Sequence, residues 1–138
     1  MTAFRKLLGA YMMGTAVFVA AWFVVNPFFD VSGIWDVANY LMAVSLVAAL
    51  VFNVRRKFRE RREGEGDLCK SLRRWEAILR VYLTAGVTIL FFRNWFLEIA
   101  GADGDASTTG LVWIAVNVLF PLAAGATGLT LWRESAGR

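Results

Sequence analysis

The residues able to do chemistry in this sequence are few, and their types narrow the chemistry at once. There is no histidine and only one cysteine, Cys69. The usual ligand for haem, copper and zinc, the commonest general base and an intrachain disulfide are therefore all missing. No nucleophile stands beside a base, and there is no glycine-rich phosphate loop and no Cys-x-x-Cys pair. Catalytic residues, a bound metal and a cofactor are not expected.

What remains is a set of charged and amide side chains inside apolar runs. Arg93 sits in ILFFRNWFLEIAG. Placed on a helix that ends near Ala100, it lies about seven residues, or roughly 10 Å, short of that end. Its long stem can snorkel towards water. Glu98 cannot neutralise it along the helix, because five residues rotate it by about 140°, whereas Asn94 and Glu98 share a face. A tether from Arg93 to Asp30 or Asp36, or to Asp103 or Asp105, is the first expectation, and a polar substrate site is the second. On the last apolar run, Pro121 removes the donor that would bond the carbonyl of Asn117, so a kink with a free carbonyl and a side-chain amide is expected there. Gly9 and Gly14 in the first run, and Ala124 with Gly128 in the last, are small residues suited to close helix packing.

The elements that must position these groups are membrane helices. Hydrophobic residues make up 58% of 138, against about 45 to 50% in a soluble domain. Spanning a bilayer takes about 20 mainly apolar residues. Four segments qualify, at about 7–29, 36–54, 77–100 and 111–132. The first is longer than a signal-peptide core and is read as a retained helix. None alternates with period two, so all four are predicted to be helices. The prediction is an all-α integral membrane protein with a single four-helix domain over 1–138, built as an antiparallel up-down bundle.

Orientation follows from the charges. The formal net charge is +4. The loop at about 55–76 carries Arg55, Arg56, Lys57, Arg59, Arg73 and Arg74 next to Trp75, while the first and third connections have no Lys or Arg. The positive-inside rule puts that loop and both termini in the cytoplasm, in keeping with a bacterial inner membrane. Leu68, Leu72 and Trp75 at i, i+4 and i+7 suggest a short amphipathic ramp on the inner leaflet. The basic residues are candidates for contact with anionic lipid head groups or an acidic partner, and the bilayer explains their number better than nucleic acid does.

Two small four-helix families come near, and neither is matched at the residues that carry function. Small multidrug transporters are similar in length and helix count, but they carry a glutamate midway along the first helix, where this chain reads YMMGTAVFVAAWF. The Glu-Arg-x-x-x-Asn pattern of the membrane-associated glutathione-type enzymes has no counterpart in the second helix. The leading expectation is a small non-catalytic membrane protein that works by association with other membrane subunits or itself. In that role it would be an accessory or assembly subunit of a respiratory or oxygenase complex. The alternative is a homo-oligomeric channel or transporter for a small anion or polar solute.

Overall fold

The computed structural model describes residues 2–29, 33–62, 68–102 and 106–136. Four α-helices account for nearly all of them: α1 over Thr2–Val25, α2 over Gly33–Arg62, α3 over Leu68–Ile99 and α4 over Ala106–Ala136. Each contains a stretch long and apolar enough to cross a membrane. The helices outrun the expected spans at their polar ends. Hydropathy marks where lipid begins, but the backbone hydrogen bonds of a helix continue into water. Much of the basic stretch at 55–76 is therefore helical. Leu72 and Trp75 belong to the first turns of α3 itself, both exposed, and not to a separate ramp.

Local chemistry ends the helices where the chain must turn. Asn26–Phe28 after α1 is a 3-10 turn carrying Pro27, which lacks the amide a continuing helix would need. At the end of α3, Gly101 takes φ +60. Its amide donates to the Glu98 carbonyl at 3.1 Å, and the Ala102 amide donates to the Leu97 carbonyl at 3.1 Å. These two bonds cap carbonyls that the helix leaves open, in a conformation glycine adopts without strain.

The packing is uneven. α1 lies chiefly against α4 and α2 chiefly against α3, while α1 touches α2 only lightly and does not reach α3 among the described residues. The α1/α4 contact is a backbone approach between Gly9 and Gly128: a methyl group placed on either glycine would sit 2.8 Å from the carbonyl oxygen of the other. Ala124 is fully buried nearby. Three of the four expected packing residues are thus spent inside this chain. Gly14 is not, since nothing lies within 4 Å of the position its Cβ would take. The shared core joins Met12 and Val19 of α1, Met42 and Leu46 of α2, Phe91 of α3 and Phe120 of α4. Around Phe91 the rings of Phe92, Trp95 and Trp113 pack at 5.2 to 5.9 Å between centroids.

Candidate functional site

Among the described residues, three places gather most of the polar side chains that bear on function. The first is the outward face of α3. Leu79, Tyr82, Gly86, Ile89, Arg93 and Phe96 are all exposed and recur at alternating steps of three and four residues, the spacing of a helix–helix seam. Arg93 therefore points away from the bundle, whereas its neighbour Asn94 is fully buried and donates to the Thr109 carbonyl at 3.3 Å. Arg93 forms no ion pair among the described residues. Asp36 turns elsewhere, into a cavity that Arg93 does not line. Asp30, Asp103 and Asp105, the other expected tethers, lie outside the described residues. Gly86 sits two turns from Arg93 on the same stripe, with open space around the position of a Cβ.

The second place is a cavity of about 550 Å³ between the helices at the end where α2 begins and α3 finishes. Asp36 and Asn39 of α2, Glu98 of α3 and Asn117 of α4 line it, with the indoles of Trp35 and Trp113 on its walls. Asp36 and Asn39 are three residues apart and share a face of α2. Trp35 Nε1 donates to Asn26 Oδ1 at 3.1 Å, which holds the 3-10 turn against the cavity mouth. Asn117 is 7% exposed and its Oδ1 has no hydrogen-bond partner among the described residues. Its backbone carbonyl also lacks the usual donor four residues on, because that residue is Pro121, which lies inside α4. The Oδ1 acceptor thus lies beside a cavity that already carries two carboxylates. The arrangement suits a hydrogen-bond donor or a cation better than an anion.

The third place is the opposite, basic end. Asn53 of α2 is buried, and its Nδ2 donates to the hydroxyl oxygens of Thr84 on α3 at 2.9 Å and Thr127 on α4 at 3.0 Å. Each threonine passes its own proton to a carbonyl one turn back, Arg80 and Ala123 respectively. Arg80 then donates to Thr130 and pairs with Glu76. One amide thus ties three helices together. Above it lies a pocket of about 170 Å³ lined by Arg5, Arg55, Arg56 and Arg59 with Thr130 and Glu134. Arg59 meets Glu134 at 3.6 Å. Lys57 lies over the ring of Tyr82 at 5.2 Å, and Arg73, Arg74 and Trp75 are exposed on the first turns of α3.

The sequence reading drew attention to Arg93, Asp36, Asn94, Glu98 and Asn117, and the fold places Asp36, Glu98 and Asn117 in one cavity. It missed Asn53 and Thr84, and the bond that joins Thr127 to Asn53. The signal was present: in an antiparallel arrangement all three stand at the same membrane level, next to the basic residues, and polar groups at one depth tend to bond one another. It also missed Asn39 and Gly86, which only the exposed and buried faces of α2 and α3 identify. Compared with protein-family models, with curated proteins and with solved structures, the chain matches none.

Proposed function

We propose that this chain is a small non-catalytic polytopic membrane protein that acts by association, as an accessory or assembly subunit of a larger membrane complex of the respiratory or oxygenase type. In this reading its helices form an antiparallel up-down bundle with both termini in the cytoplasm of a bacterial inner membrane, a reading supported by the basic loop and the two connections without Lys or Arg. The observation that carries the reading is the outward Arg93 on the α3 stripe. A guanidinium facing lipid costs up to about 3 kcal/mol at the bilayer centre and less towards its edge, a cost that snorkelling or a carboxylate on a neighbouring subunit relieves. Gly86, two turns away on the same stripe, lets another helix approach closely.

Purification of the intact chain from its native membrane in mild detergent, followed by native mass spectrometry, tests the reading. Other membrane proteins are expected to co-purify. Gly86→Leu should release them while leaving the unfolding midpoint unchanged or slightly raised, because a Cβ at this exposed position meets nothing within 4 Å among the described residues. A chain that runs alone as a monomer would sink the proposal.

A second reading rests on the Asp36/Glu98/Asn117 cavity. A homo-oligomeric channel or transporter would use it to hold a polar or cationic solute, and the two carboxylates argue against the small anion. Flux in liposomes that survives Asn117→Leu and Asp36→Asn unchanged would remove this reading.

A further inference from the structure

Two openings at the basic end share a wall. The arginine pocket described above is bounded on one side by Phe52 and Arg55 of α2. The same two residues close the end of an apolar groove of about 570 Å³ between α1 and α2, lined by Phe4, Leu8, Ala43, Val44 and Val47 among others. The groove exists because α1 is drawn onto α4 by the Gly9/Gly128 contact, which leaves α2 short of a neighbour. Tyr11 donates its phenolic proton to the Leu41 carbonyl at 2.9 Å, two residues before Ala43, the first residue of α2 to line the groove.

Length and charge together select an occupant. From Ala43 to Arg55 the groove follows twelve residues of α2, about 18 Å at the helical rise, which is close to half of a hydrocarbon core about 30 Å thick. It is a one-leaflet slot, apolar along its length and ending at Arg55. Among the described residues, the pocket beyond Arg55 brings Arg5, Arg55 and Arg59 around the carboxylate of Glu134, which pairs with Arg59, so that Arg5 and Arg55 add positive charge at its rim. Thr127 and Thr130 in its wall donate to carbonyls of their own helix, so an anion there would rely on the guanidinium groups, which suit phosphate oxygens.

We propose that this end of the molecule binds one anionic phospholipid, with its phosphate in the arginine pocket and one acyl chain in the α1/α2 groove. The lipid supplies the neighbour that α1 and α2 do not give each other. Anionic lipid contact is thereby assigned to a built site between α1, α2 and α4, distinct from the exposed Arg73 and Arg74.

The test is lipid retention by the full chain in detergent, read by native mass spectrometry after exchange into defined phosphatidylglycerol or phosphatidylcholine. One phosphatidylglycerol is expected to stay bound under conditions that strip phosphatidylcholine. Arg5→Gln with Arg55→Gln should weaken that retention at least about tenfold, given the surface attraction each basic side chain contributes. Val47→Trp, which fills the groove from an exposed position, should weaken it with every arginine intact. Inorganic phosphate and glycerol phosphate should fail to compete. Equal retention of the two lipids, or retention unchanged by both variants, overturns the proposal. Displacement by glycerol phosphate also overturns it, since the pocket would then serve a free phosphate ester. Thermal unfolding of each variant with and without phosphatidylglycerol gives a second readout: the lipid should raise the midpoint of the wild type and not of the variants.

Discussion

Asn53 and Asn117 are both buried amides on membrane helices, one at each end of the bundle, and they are treated in opposite ways. Asn53 donates to two threonines on two other helices, and those threonines are bonded in turn. Asn117 keeps an acceptor without a partner beside a cavity lined by Asp36 and Glu98. A buried polar group left unmatched costs more than a matched one contributes, so the two amides differ in what they add to stability. Asn53 braces the basic end, and Asn117 Oδ1 adds no bond among the described residues.

That contrast can be broken or sharpened by substitution, with unfolding of the detergent-solubilised chain as the measurement. The largest effect should come from the contact that brings α1 onto α4 at the braced end. Gly128→Leu places a side chain where 2.8 Å separates the Cβ position from the Gly9 carbonyl oxygen, and should cost about 3 kcal/mol, the upper end for overpacking. An effect no larger than that of Gly14→Leu, where the space is open, would mean that the two helices do not approach as closely as described.

Asn53→Leu should cost about 1 to 2 kcal/mol, since two interhelical bonds in a membrane interior are lost together. Its threonine partners keep their own carbonyl bonds, which limits the damage. Gly86→Ala should do the reverse and stabilise by roughly 0.5 to 1 kcal/mol, because it removes helix-interior glycine without meeting a neighbour. Smallest of all, Asn117→Leu should leave stability unchanged or raise it by less than about 0.5 kcal/mol, as its Oδ1 gives up no bond among the described residues. If Asn117→Leu proved as costly as Asn53→Leu, the open acceptor would have a structural partner and the contrast between the two ends would fail.

The four spans were legible because lipid imposes a length and a composition that few other contexts demand, and their number and approximate positions follow from hydropathy alone. The helix ends were less so. Arg62 and Leu68 bound α2 and α3 well beyond the apolar stretches, since hydropathy does not register a helix that continues into water. Asp36, Glu98 and Asn117 could be singled out as polar groups, but their meeting in one cavity depends on how the helices pack and how each is rotated. For Arg93 the same limit applies: counting residues placed it near the outer end of α3, while the side it faces follows from Phe91 and Asn94 being the buried members of that turn.

By itself, then, the sequence determined that this is a helical membrane protein with a basic end and an acidic end, and that Arg93 cannot pair with Glu98 along its own helix. Those conclusions need only residue type, spacing and the cost of polar backbone in lipid. Tertiary structure decided which residues of each helix look inward. It chose α4 over α2 as the chief partner of α1, spent Gly9 and Gly128 on that choice, and so left the groove beside α2 unfilled. The physical reason is that in lipid both sides of a helix can be equally apolar. Hydrophobicity then no longer tells the faces apart, and close packing and hydrogen bonding must set the rotation.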